Sequence, residues 1–491
     1  MQHARRGQGR CRRPQGEARR HPVRGRRALT DTSLRASLRE AIRGSHQDYT
    51  EGPIGRAIFL LAVPMVLEMI MESVFAVSDV FFVSRLGAAA VATVGLTESM
   101  LALVYTVAIG LSIGIMATVA RRIGEKDPDR AAAAAVQGIV LGAIVAVAIG
   151  AAGFAMAPRL LEVMGASPDV IRVGSRYTQV MLAGNITVVM LFLINAIFRG
   201  AGDAAIAMRV LWLANAVNIV LGPCLVFGVG PFPRLGVTGA AVGTTIGRGI
   251  GVLFQLYQLT RRDRRIVIRR EHLRVDWPLM ASILRLSSSA LFQTMIGTAS
   301  WIGLVRVLAS FGSAALAGYT IGIRIILFAL FPSWGVSNAA ATMVGQALGA
   351  RRPERAEQAV WKAGFYNMIA LSIVAVLFIV GAGPLVSVFT RDPEVAKYAV
   401  ACLRVISFGF PFYAYGMVLT QSFNGAGDTR TPTWINLFCF WLWEIPLAYV
   451  LAVHGGMGPY GVFVSIAVAF STLALVSAVI FRRGKWKLQQ I

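Results

Sequence analysis

Landmarks in the first half of this chain return 225 residues later, and that fixed offset constrains the fold more than any other feature. Phe-x-Gly-Ala-Gly-Asp runs from Phe198 to Asp203 and again from Phe423 to Asp428. Gly124, Pro128, Arg130 and Ala131 recur as Gly349, Pro353, Arg355 and Ala356. Gly87 maps onto Gly312, Pro168 onto Pro393 and Gly236 onto Gly461. One register held from Gly87 to Gly236 leaves little room for gaps, so the chain is a tandem pair of equal units.

Each unit is too apolar for a soluble solenoid. Hydrophobic residues make up 56% of the chain and charged residues 15%, against roughly 25% charged in soluble domains. Twelve apolar runs fall near 57–84, 92–119, 132–157, 174–198, 206–228, 237–259, 279–306, 316–345, 360–383, 400–423, 433–453 and 459–481. Runs of about 20 residues match a hydrocarbon core of about 30 Å, and open sheets are excluded at that depth. The expected fold is an all-α integral membrane protein with twelve transmembrane helices in two pseudo-symmetric six-helix lobes. Residues 51–260 form the first lobe, 261–276 a basic linker facing lipid headgroups and 277–485 the second lobe. Parallel half-proteins of this kind place a binding site at their interface, as transporters do.

The net charge of +24 could suggest a nucleic-acid partner, but its placement argues otherwise. With an even number of spans, 36 Lys and Arg fall on the side of the termini and 9 on the other. That is the positive-inside pattern of a cell (inner) membrane protein with both termini cytoplasmic. Residues 1–50 are Arg-rich and lack the apolar core of a secretory signal. A disordered cytoplasmic tail is expected there, with attachment to anionic headgroups as the alternative. The membrane part makes sense from about Asp48 onward.

Cys11, Cys224, Cys402 and Cys439 have no metal or disulfide spacing, and the five histidines are scattered. Neither a metal site nor a cofactor is expected, and no cluster suggests an enzyme. The glycine-rich turns lack a P-loop lysine, so Asp203 and Asp428 are expected to cap helices.

The first span carries Glu68, Glu72 and Asp79. At about 100° per residue they share one narrow face and span about 16 Å of helix. Such a face must look into protein or water, where it could hold a proton or sodium ion and attract a cation, or act as neutral hydrogen-bonded glue. Glu444 in the eleventh span stands two residues before Pro446 and is a second intramembrane candidate. The repeat partners of Glu68 and Asp79 are Gln293 and Leu304, so the lobes differ chemically. Glu98 and Arg324 fall at equivalent depths in the second and eighth spans, which suggests an ion pair between lobes near the outer mouth.

Several segments together resemble the multidrug and toxic compound extrusion (MATE) transporters. They are Leu61–Pro64 with Val77–Asp79, the two Gly-Ala-Gly-Asp turns, Asn215–Asn218, Val344–Ala350 and Glu444–Tyr449. The resemblance covers about residues 50–485. It implies a monomer that exports cationic amphiphilic small molecules in exchange for H+ or Na+. It also implies that Asp79 sits at the cation site, with Asn218 on the fifth span. The acid usually found one turn after that asparagine is Gly222 here. Either Asp79 works with Asn218 and hydroxyls of the sixth span (Thr238, Thr244, Thr245), or Glu72 replaces the lost charge. Glu68, Asn195, Glu444 and Tyr413 are expected to line the substrate cavity. A flippase for lipid-linked saccharides, which would favour basic cavity residues, is the nearest alternative; a membrane transferase is the alternative of another class.

Overall fold

The computed structural model describes residues 34–491 apart from His46 and Asp263; the side chains of residues 34, 76–80 and 84 are outside that description. Expectations about the tail up to residue 33, Cys11 and the Asp79 carboxylate therefore lie outside the described residues.

Helices account for nearly all of the described chain, with no strand among those residues. A short α1 (Leu34–Arg43) precedes the first lobe: α2 (Ile54–Ser84), α3 (Ala88–Gly124), α4 (Pro128–Val163), α5 and α6 (Pro168–Ala183 and Asn185–Ala201), α7 (Ala204–Phe227) and α8 (Val237–Thr260). The second lobe repeats the order with α9 (Trp277–Ala309), α10 (Ser313–Gly349), α11 (Pro353–Ser387), α12 and α13 (Pro393–Ser407 and Phe410–Ala426). Its eleventh span starts as α14 (Arg430–Asn436), continues as a π-helix over Leu437–Glu444, returns as α15 (Ile445–Tyr449) and ends as a second π turn. The last span is α16 (Pro459–Arg482). Eleven of these stretches can cross a membrane, or twelve if the bent pair α12–α13 counts as one span.

Local chemistry starts the helices where the repeat places them. Pro128 and Pro353 open α4 and α11, and Pro168 and Pro393 open α5 and α12, where a missing N–H costs nothing. Asp127, Asp276 and Asp392 accept hydrogen bonds from first-turn N–H groups of α4, α9 and α12. The fourth span is interrupted at Gly184, and the tenth bends by 60° between Ser407 and Phe410, next to Gly409. Gly184 and Gly409 are themselves 225 apart.

The lobes meet at the end that carries the chain termini. There the first span packs on the opposite lobe: Leu61 and Met65 share a buried core with Met343, Val344 and Val418. Reciprocally, Met280 and Ile283 of α9 join the core of the first lobe. Thr342 and Gln346 of α10 donate to the carbonyls of Arg199 and Gly200 at 3.1 and 2.9 Å. Gly124 and Gly349, repeat partners, let α3 and α10 cross in backbone contact; a Cβ on either would land on a carbonyl of the other helix, Gln346 or Arg121. Towards the other end, the second lobe has its own core around Leu304, Tyr319, Ile326 and Phe463, with no first-lobe residue in it among the described residues. The lobes thus form a V, closed at the termini.

Three sequence expectations change. The chain is ordered before residue 50: α1 is a helix, and Tyr49 and Thr50 are buried. Arg355 donates to the carbonyls of Tyr49, Glu51 and Gly52, and Arg352 donates to that of Thr50, so residues 49–52 are stitched to the second lobe. The linker is not simply a solvated loop. Ile266 and His272 are buried, and Arg265 reaches Asp203 at 3.3 Å and the carbonyls of Ser45 and Gln47. That pairing explains the third change: Asp203 does not cap α7, whereas Asp428 accepts from the Thr431 N–H and hydroxyl.

Candidate functional site

Glu68 lies near the middle of α2 and is 2% exposed. Asn195 of α6 donates to its Oε1 at 3.0 Å, and the Arg199 guanidinium stands 3.3 Å from the same oxygen. Gln255 of α8 then donates to the Asn195 side-chain Oδ1 at 2.7 Å. A buried carboxylate needs such partners, because its desolvation is otherwise uncompensated. Glu68 and Asn195, both expected to line the substrate cavity, instead meet each other inside the lobe. They do not border open space, and Arg199 belongs to the lobe interior rather than to the basic loop where its position in sequence puts it.

One turn along α2, Glu72 faces Arg248 of α8 at 3.8 Å. Arg248 is 3% exposed and donates to the Tyr105 hydroxyl at 2.9 Å. Its guanidinium lies 5.3 Å from the Phe75 ring centroid and 5.7 Å from that of Tyr105. Arg248 is eleven residues into α8, about 16 Å from its start and about 18 Å from its end. Sequence reasoning missed it, although a lone arginine inside the 237–259 apolar run was the available signal.

The expected acidic stripe is thus two ion pairs plus Asp79, whose carboxylate is outside the description. Both pairs belong to the first lobe alone. The repeat partners of Glu68 and Arg199 are the buried amides Gln293 and Asn424, and those of Glu72 and Arg248 are Gly297 and Leu473.

Further along α7, Asn218 donates to the Thr244 hydroxyl at 2.8 Å, so the structure joins two of the expected residues. Thr245 turns back to the Ala241 carbonyl, and half-buried Thr238 lies about 9 Å along α8 from Thr244. Gly222 is buried, and among the described residues a Cβ built there would meet only the Asn218 Oδ1, at 3.9 Å. Asn215 and Trp212 donate to the Met71 and Leu67 carbonyls, which lace α7 to the acid-bearing helix.

In the second lobe Glu444 is 3% exposed and has no hydrogen bond or ion pair among the described residues. It ends the π-helical stretch, so the backbone near Pro446 is rewound into wider turns rather than broken. π-helical turns concentrate at functional sites. Tyr413 stacks on Phe470 with ring centroids 3.9 Å apart. Glu98 and Arg324 are both exposed, and no ion pair within 4.0 Å joins them. With the V open at this end, the expected gate contact is not made. No group of three or more His, Cys, Asp or Glu able to hold a metal occurs among the described residues.

The MatE family model matches residues 64–224 and 289–450, one stretch in each lobe. A probable multidrug resistance protein NorM of Thermotoga maritima is 24% identical over 89% of this chain and 94% of its own length. An FAD transporter of Shewanella oneidensis is 25% identical over 82% of this chain and 90% of its own. An outward-facing multidrug resistance MATE transporter superposes with a TM-score of 0.83 at 26% identity, covering 90% of this chain and 98% of that one. A Pyrococcus furiosus transporter of the MOP superfamily, described as having a binding pocket of reverse polarity, gives 0.83 at 25% identity over 94% of this chain and all of its own.

Proposed function

This chain belongs to the MatE family of membrane transporters, and from that premise we propose that it is a monomeric efflux antiporter. It exports cationic amphiphilic compounds in exchange for H+ or Na+ across a cell membrane, with its termini in the cytoplasm and its V open to the outside. The observation that carries this reading is the one-sided closure of two repeat-related lobes around a first span bearing acids. A transporter works by exposing one site to each side in turn, and a coupling ion can drive it only by binding the two arrangements unequally.

In this reading Asp79 takes the coupling ion, with Asn218 and Thr244 beside it and Thr238 at the outer edge. Glu72 trades its Arg248 contact for substrate or ion as the lobes move. Glu68 and Asn195, paired with Arg199, stiffen the lobe from within and do not line the cavity. Glu444 and Tyr413 provide a second acid site in the other lobe. Glu98 and Arg324 pair when the outer mouth closes.

A second reading is favoured by Arg248. With Glu68 and Glu72 both neutralised, the described part of the first lobe carries no net acidic charge, so zwitterionic or anionic substrates are compatible with it. The FAD transporter among its relatives lends that reading support.

Inverted membrane vesicles separate the two. A cationic dye should move under an imposed proton gradient or sodium gradient, and Asp79→Asn should abolish the coupling. Movement of a flavin nucleotide but not of the dye would favour the second reading. Transport of neither under either gradient, with the protein present in the membrane, would reject both.

A further inference from the structure

The helix before the first span carries a pattern that the transport cycle does not use. In α1, Arg35, Arg39 and Arg43 recur every four residues, all are exposed, and none makes an ion pair among the described residues. Leu38 and Ile42 adjoin them and are 41% and 38% exposed. At about 100° per residue these five side chains fill one arc of about 140°, apolar on one flank and basic on the other. The opposite side is fastened down: Ala41 is buried, and Glu40 forms a 2.7 Å ion pair with Arg56 in the first turns of α2. Arg209, near the start of α7, donates to the Ile42 carbonyl at 2.8 Å. Arg209 in turn has Arg264 of the linker as a like-charged neighbour. The helix is therefore pinned beside the termini-side ends of two membrane spans.

An arc that is half aliphatic and half guanidinium matches one surface, the headgroup–acyl boundary of a bilayer, and its charge selects anionic lipid. We propose that α1 is an interfacial helix that binds anionic phospholipid of the host membrane, with Leu38 and Ile42 among the acyl chains and Arg35, Arg39 and Arg43 on headgroup phosphates. The proposal rests on the chain spanning a bilayer and is independent of what it transports. Because residues 45–52 tie the end of α1 to Arg265 of the linker and to Arg352 and Arg355 of the second lobe, bound lipid also braces the closed end.

Hydrogen exchange of the full protein in nanodiscs tests this. In discs of phosphatidylcholine mixed with phosphatidylglycerol, the amides of 34–43 should exchange about tenfold more slowly than in phosphatidylcholine alone. Inorganic phosphate added to the zwitterionic discs should not reproduce the protection. Combined Arg35→Gln, Arg39→Gln and Arg43→Gln should remove the lipid dependence, and Leu38→Asn with Ile42→Asn should remove protection in both discs, while exchange in α3 and α10 stays unchanged. Equal protection in the two disc types, protection by free phosphate, or lipid dependence surviving the triple arginine change would overturn the proposal. The disc comparison on the unsubstituted protein decides it even if a variant does not fold.

Discussion

Gly124→Ala is expected to cut dye transport by roughly tenfold to a hundredfold while leaving the protein folded. The glycine lies where α3 and α10 cross at the closed end, and an added Cβ would fall on the Gln346 carbonyl. A backbone carbonyl cannot rotate aside as a side-chain tip can. Overpacking of this kind costs about 1–3 kcal/mol, and each 1.4 kcal/mol is about tenfold in an equilibrium. That cost falls on the state closed at the termini alone, so the cycle stalls in the opposite state. Gly349→Ala should behave in the same way, because its Cβ meets the Arg121 carbonyl. Gly95→Ala and Gly297→Ala are matched controls, since no described atom lies within 4 Å of a Cβ at either site. Transport rates in vesicles at equal protein content provide the measurement; normal rates for Gly124→Ala would show that the lobes need not meet there.

The second large effect is expected at Glu68 and Arg199. Removing one member of a buried pair strands the other charge, at a cost of about 3–5 kcal/mol, whereas removing both can be nearly neutral. Arg199→Gln and Glu68→Gln should each lower the thermal midpoint of the purified protein sharply. The double variant should recover most of that loss, as the repeat suggests: the same positions in the second lobe already hold the amides Asn424 and Gln293. The same cycle at Glu72 and Arg248 should give a smaller coupling, because their separation is 3.8 Å and the Glu72 side chain is 25% exposed. Additive losses at Glu68 and Arg199 would mean that the two do not act as a pair.

Much of this architecture is legible in the residues themselves. Apolar runs of membrane length and a constant offset place the spans and the lobes, because helix length and repeat register are both linear properties of a chain. The Asn218–Thr244 contact is legible for a similar reason, since adjacent spans in sequence are adjacent in space. Arg199 and Arg248 are different. A guanidinium reaches across a helix, and nothing in spacing says which carboxylate it will find, so two of the three acids in the stripe turned out to face an arginine. Glu98 and Arg324 are related through the repeat, but the angle between lobes, which decides whether they touch, is not encoded in it. In α1 the fourfold spacing of arginines and aliphatics was present, yet the Arg-rich composition around it reads as a disordered tail. Gly184 and Gly409 were equally visible as a repeat pair, but only the structure shows that both interrupt a span.

The central claim is that closure at one end is exchanged for closure at the other. Distances between spin labels carried on unnatural amino acids test it directly, with one pair at Asp129 and Glu354 on the closed end and one at Ala166 and Arg391 on the open end. On imposing the coupling gradient with substrate present, the first distance should lengthen while the second shortens, bringing Glu98 and Arg324 into contact range. Both distances staying fixed during measurable transport, or both lengthening together, would contradict the account.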